Sequence, residues 1–297
     1  MHKSIKFTES EVVNLGEACK IFECTPVRYL GRGTYNHAWK VLRNNKECTL
    51  RIRVDPDSIE LLTREAAMFK IFSDRKLGVP FYRSHIIVTE RTKGILALLY
   101  KYAERDLEDY LQKAGQKSPQ IPQIPPEVLG RRIVRHIRKV AANGYFYGDA
   151  KPGNLFIMGD SVVFGDLDPI YTVKDPGPKV DKRSLGFLRT LYVRCMLFQL
   201  SIFLKTIPTR SARVILKIIH RSIRKSMLQG NKRILTRKGQ VINPYIIIHS
   251  LLRESNYPRY ALDHYTGKNG TIYSAEFRKT IANYLGKSRS KVTRRIP

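Results

Sequence analysis

Apolar positions change their period several times along this chain, and each change predicts an element. Residues 29–41 alternate into a strand, turn through Gly31 and Gly33, and resume as a strand. Residues 47–54 predict another strand, in which Arg51 and Arg53 share one face by the period-two rule. Residues 58–72 switch to helical spacing behind Asp57 or Ser58 as cap. Residues 86–89 and 95–100 predict two strands joined by a charged turn, and 104–113 a short helix. The proline-rich stretch 116–126 reads as a loop. Residues 127–143 then repeat at helical spacing until Gly144 stops them. Two short apolar runs, 155–158 and 161–164, flank Gly159-Asp160 and predict a hairpin.

The last third reads as helical. Residues 184–204 are apolar but broken by Arg189, Arg194 and Gln199, which suits a buried core helix better than a bilayer span. Residues 212–228 set Ile215, Ile219, Ile223 and Met227 against Arg213, Lys217, Arg221 and Lys225. Two placements of that helix stay open: isoleucines inserted in an anionic membrane, or packed into the protein with the basic face in solvent.

Size and charge narrow the picture. A 297-residue chain with 42% apolar residues buries a core as one large or two modest domains. The first thirty residues hold no long apolar stretch, so no signal peptide is expected and the cytoplasm is the expected compartment. Cys19, Cys24, Cys48 and Cys195 have neither metal-ligand spacing nor disulfide-scaffold density, and are expected to be reduced. The net charge is +29, and residues 205–297 hold 21 Lys and Arg against Glu254, Asp263 and Glu276. An anionic partner follows from that excess, against the alternative of a merely solvated surface. Nucleic acid, lipid and phosphorylated glycan all fit the charge; no zinc, helix-turn-helix or aromatic-basic motif singles out nucleic acid.

The chemistry concentrates in residues 145–168, YFYGDAKPGNLFIMGDSVVFGDLD. Asp149, Lys151, Asn154 and Asp166 are the residue types phosphoryl transfer requires: a carboxylate for the acceptor hydroxyl, a mobile cation, and hard oxygen ligands for a divalent metal. D-A-K-P-G-N is also a set of ordinary turn residues. The predicted hairpin, which would bring Asn154 and Asp166 to one end, favours the catalytic reading.

The D-x-K-P-x-N string resembles the catalytic loop of the protein-kinase-like superfamily, and G-D-L-D resembles the end of its metal-binding strand. The resemblance covers roughly residues 29–205. It implies an α+β, bilobal fold with a small β-rich lobe and a larger helical lobe. The corresponding division is an N-terminal extension at 1–28, an N-lobe at 29–99, a C-lobe core at 100–205 and a basic helical part at 206–297. It further implies ATP and Mg²⁺ as cofactors, Asp149 and Lys151 as catalytic, and Asn154, Asp166 and Asp168 as metal ligands. Gly31, Gly33 and Asn36 stand where the family has its glycine-rich nucleotide loop, with Asn36 in place of a third glycine. Arg51 or Arg53 replaces the family's strand lysine, Arg51 being favoured, and Glu65 is its expected partner, with Glu60 as the alternative. Tyr100 and Tyr102 fall at the adenine hinge.

Beyond Asp166 the chain departs from familiar protein kinases. Asp181 comes fifteen positions later with no A-P-E string between, and Gly148 replaces the regulatory arginine before the catalytic aspartate. These features resemble bacterial kinases of lipopolysaccharide-core sugars (Kdo and heptose). An ATP-dependent kinase of a sugar hydroxyl on a membrane glycolipid, peripheral on the inner face, is therefore expected. A serine/threonine protein kinase of atypical type and a non-catalytic kinase-like binding module are the alternatives.

Overall fold

A computed structural model of the chain describes residues 9–32, 36–53, 59–89, 92–113, 124–167, 172–174, 182–227, 234–235 and 241–242. It divides into two compact units, Met1–Arg105 with Phe156–Pro169, and Asp106–Leu155 with Ile170–Pro297.

The first unit is built on a five-stranded antiparallel sheet. Helix α1 (Glu9–Phe22) leads into strands β1 (Thr25–Arg32), β2 (Asn36–Arg43) and β3 (Lys46–Arg53), then α2 (Ile59–Asp74), β4 (Phe81–Thr89) and β5 (Thr92–Lys101). The sheet order is β1-β2-β3-β5-β4. Asn44 and Asn45 join β2 to β3 with φ of 48° and 59°, while Arg43 pairs with Lys46. That is a two-residue turn with both central residues left-handed, which asparagine accepts and which matches strand twist.

Alternation along β3 decides how the sheet is covered. Leu50 and Ile52 join Trp39, Val41, Ile95, Ala97 and Leu99 in a core closed by Ala18 and Phe22 of α1. Arg51 and Arg53 take the opposite alternation and meet Glu65 of α2. Both faces of β3 are therefore buried, and the two arginines, at 5% and 3% exposure, are not surface residues of an open strand. Helix α1, for which the sequence pattern predicted no element, covers one of those faces.

A short strand β6 (Arg105–Asp106) precedes α3 (Leu107–Lys113) and α4 (Pro126–Ala142). Pro126 opens α4 at its first turn, where a missing N–H costs nothing, and Gly144 at φ 81° ends it as predicted. Strand β7 (Tyr145–Tyr147) follows, then a 3₁₀ turn (Pro152–Asn154), and the hairpin β8 (Leu155–Met158) and β9 (Ser161–Phe164) through Gly159 at φ 56°. Strand β10 (Thr172–Lys174) pairs antiparallel with β7.

Helices α5 (Lys182–Thr206) and α6 (Arg210–Met227) complete the second unit, before the short antiparallel pair β11 (Ile234–Leu235) and β12 (Val241–Ile242). Leu188, Leu191, Tyr192, Met196, Leu197 and Leu200 of α5 are buried, as a core helix requires, and among the described residues no helix is long and apolar enough to cross a membrane. Ile215, Ile219 and Ile223 of α6 are also buried. The placement with these isoleucines inserted in a membrane therefore does not hold; α6 packs them inward and exposes Arg213, Lys217 and Arg221. Helix α4 lies against it: Arg138 Nη2 donates to Ser222 Oγ at 3.0 Å, and a Cβ on Gly130 would stand 2.8 Å from Ile218 Cδ1.

Candidate active site

Within the second unit, the loop after β7 folds around one carboxylate. Asp149 Oδ2 accepts hydrogen bonds from Lys151 Nζ and from Asn154 Nδ2, each at 2.7 Å. Asn154 Nδ2 also reaches the Asp149 carbonyl at 3.0 Å and Tyr147 Oη at 2.9 Å. The backbone repeats the theme, with Lys151 N donating to Asp149 O and Asn154 N to Lys151 O. Pro152 at the start of the 3₁₀ turn fixes its entry dihedral, so Asp149, Lys151 and Asn154 converge for local reasons. With the Asn154 amide nitrogen directed at Asp149 and Tyr147, the other end of the amide, Oδ1, is a hard oxygen donor.

Residues outside the motif hold this loop in place. Gln199, buried on α5, donates Nε2 to the Gly148 carbonyl at 2.8 Å. Tyr147 N donates to Met196 Sδ, also of α5, at 3.4 Å. Motif reading missed Gln199 as a site residue. Its signal was a lone amide in the apolar run 184–204, where a buried polar group must find a partner. Asp181 lies outside the described residues.

The first unit carries a second cluster. Arg51 Nη2 lies 3.0 Å from Glu65 Oε1 and 3.0 Å from Asp166 Oδ1, while Arg53 Nη1 is 2.6 Å from Glu65 Oε2. Glu65, not Glu60, is the α2 carboxylate that meets the strand arginines; its side chain is fully buried. Two cations and two carboxylates balance formally, which offsets much of the desolvation cost of burying them. The Arg51 guanidinium also sits over the Phe69 ring at 5.5 Å.

Asp166 is less enclosed, with its side chain 38% exposed, and Arg51 engages only its Oδ1. The preceding glycine has a steric reason: a Cβ on Gly165 would overlap the Phe156 ring. Oδ2 of Asp166 in the first unit and Oδ1 of Asn154 in the second are each, by themselves, an oxygen donor of the type Mg²⁺ takes.

Other predicted residues fall as follows. Gly31 sits in β1 at φ 154°, opposite Ala38 across a register shift. Asn36 begins β2 opposite Arg53, and its buried Oδ1 has no hydrogen-bond partner among the described residues. Tyr100 lies in β5 stacked on Phe69 at 5.7 Å, and burial pushes its phenol up to about 12. Tyr102 accepts from Arg28 Nη2 at 2.9 Å and carries Lys40 over its ring. Gly33 and Asp168 lie outside the described residues.

A supporting group borders Asn36. His37, buried in β2, has Nδ1 3.2 Å from Tyr29 Oη and Nε2 3.0 Å from Glu11 Oε1 of α1. Burial lowers the His37 pKa, with Glu11 opposing that shift.

No family model matches the sequence. Over 170 residues the chain is 27% identical to cyclin-dependent kinase 8 of Drosophila melanogaster, an alignment covering 54% of this chain and 34% of that protein. The chain thus matches about a third of that relative's length. The similarity supports the protein-kinase-like superfamily. With it, the five-stranded antiparallel sheet followed by helices is a kinase-like α+β fold.

Proposed function

We propose that the chain is an ATP-dependent phosphotransferase acting on an alcohol. The observation that carries this reading is Asp149, held by Lys151 and Asn154 at 2.7 Å each. In this reading the Asp149 carboxylate takes the acceptor hydroxyl proton. Lys151, 40% exposed on a flexible stem, follows the charge of the moving phosphoryl group. Asn154 Oδ1 and Asp166 Oδ2 are each a hard oxygen of the kind that would hold Mg²⁺, and the ion, bound with ATP, would neutralise developing charge on the phosphates. Arg51 stands where the family has a lysine: of the two strand arginines it is the one that pairs with both Glu65 and Asp166. Its planar fork recognises phosphate oxygens as well as carboxylates.

For the acceptor we favour an anionic one, a sugar hydroxyl of a membrane glycolipid. The exposed basic residues of α4 and α6, Arg131, Arg135, Arg213, Lys217 and Arg221, support that choice through charge complementarity. The similarity to a protein named a cyclin-dependent kinase favours a second reading, a protein serine or threonine as acceptor. The experiment is γ-phosphate-labelled ATP added to a membrane extract with wild type or Asp149→Asn. Wild-type-dependent label on lipid-linked glycan supports the first acceptor, label on polypeptide the second, and label on neither contradicts the transfer itself.

A further inference from the structure

The end of α1 brings two thiols together. Cys24 N donates to Cys19 O at 3.0 Å and Glu23 N to Lys20 O at 3.2 Å, while Glu23 adopts φ 53°. This is the Schellman pattern, with a 6→1 bond, a 5→2 bond and a left-handed residue after the helix. Its usual companion is a side-chain contact between the residues at the two ends of the 6→1 bond. In this chain those residues are Cys19 and Cys24.

The 6→1 bond bounds the separation of their Cα atoms at about 7 Å. Disulfides occupy Cα separations of about 4.4–6.8 Å, so the cap holds the pair at or inside that window. The two side chains converge, since the Cys24 thiol hydrogen-bonds the Cys19 sulfur; this lowers the Cys19 pKa and raises that of Cys24. Both are half-buried and reachable from solvent, whereas Cys48 and Cys195 are buried. Arg43 anchors the same turn through Nε to the Phe22 carbonyl at 2.9 Å.

We infer that Cys19 and Cys24 form a vicinal dithiol modification site, which a low-molecular-weight disulfide such as oxidised glutathione converts to an intramolecular disulfide. The Cys19 thiolate attacks one glutathione sulfur, forming a mixed disulfide and releasing glutathione thiolate. Cys24 then gives its proton to solvent and attacks the Cys19 sulfur, expelling the second glutathione. Two protein thiols are oxidised and one glutathione disulfide is reduced to two thiols. The left-handed Glu23 needs no change, because the cap already presents the bonded geometry. This inference does not depend on the proposed phosphotransferase activity.

The test uses the full-length reduced protein, incubated with oxidised glutathione, alkylated and digested with trypsin without reduction. Cleavage after Lys20 separates the two cysteines, so their disulfide appears as residues 7–20 joined to residues 21–28. The expected result is that cross-linked peptide, with joint loss of alkylation at Cys19 and Cys24 and full alkylation of Cys48 and Cys195. In Cys24→Ser, Cys19 should stop at the glutathione adduct. The inference is overturned if Cys19 and Cys24 carry separate glutathione adducts in the wild type. It is equally overturned by a cross-link from either to Cys48, or by both staying alkylatable while a free-cysteine control peptide in the same tube is oxidised.

Discussion

Arg51 Nη2 stands 3.0 Å from Asp166 Oδ1, joining the third strand of the sheet to the carboxylate beyond β9. The same guanidinium nitrogen is 3.0 Å from Glu65 Oε1, so one arginine links two carboxylates from different elements. Removing the fully buried Glu65 carboxylate takes from Arg53 the oxygen it now meets at 2.6 Å and from Arg51 the one it meets at 3.0 Å. Glu65→Gln should therefore destabilise the protein by about 3–5 kcal/mol, the cost of breaking a buried ion pair from one side. Urea denaturation reads this as a lower midpoint at unchanged slope; a loss below about 1 kcal/mol would mean that water reaches these charges.

Arg51 and Arg53 should separate by phenotype. Arg53 pairs with Glu65, whereas Arg51 also meets Asp166. Arg53→Met should cost stability and leave nucleotide affinity within a few-fold. Arg51→Met should weaken nucleotide binding by roughly tenfold or more, the loss of one charge-assisted contact. Arg51→Lys, which keeps a cation on the strand, should recover most of that loss. Calorimetric ATP titration of the three variants checks the order.

Gln199 fixes the Gly148 carbonyl from α5. Gln199→Leu leaves that carbonyl without its donor and should cost about 1–3 kcal/mol of stability. Displacement of the neighbouring Asp149 should lower kcat more than it raises KM, because positioning counts in the transition state. Steady-state kinetics with ATP as the varied substrate measures the split, and equal changes in both would place Gln199 in the fold alone.

His136 is buried in α4, and burial, helped by nearby Lys139, pushes its pKa down to about 3. It is neutral in the folded protein and protonates near its ordinary value of about 6.5 when unfolded. Its contribution is thus complete above about pH 6.5 and is lost progressively as pH falls from there towards 3. The slope reaches about 1.4 kcal/mol per pH unit for one proton. Denaturation at pH 7, 6, 5 and 4 should show a steeper loss for wild type than for His136→Gln.

Much of the fold could be read from periodicity. The strand of Arg51 and Arg53, the helix of Glu65, the stop at Gly144 and the Gly159-Asp160 hairpin all follow from local rules, and the structure forms them. Helix α1 escaped because its value is tertiary: Ala18 and Phe22 matter only once a sheet face needs cover. For the same reason the alternation along β3 did not by itself show that α1 and α2 enclose both of its sides. The Asp149, Lys151 and Asn154 cluster was legible because all three lie within six residues of one turn. Gln199 was not, since its partner Gly148 is 51 positions away and no local pattern encodes that distance.

The central claim, that Asp149 is the carboxylate of a phosphoryl-transfer site, is tested most directly by Mg-ATP turnover with its acceptor for wild type and Asp149→Asn. Asparagine retains the size and much of the hydrogen bonding around Lys151 and Asn154 but cannot take the hydroxyl proton. The expected result is a rate lower by about 10²–10⁴-fold with ATP affinity within a few-fold of wild type. Equal rates for the two proteins, or ATP binding without turnover by either, would contradict it.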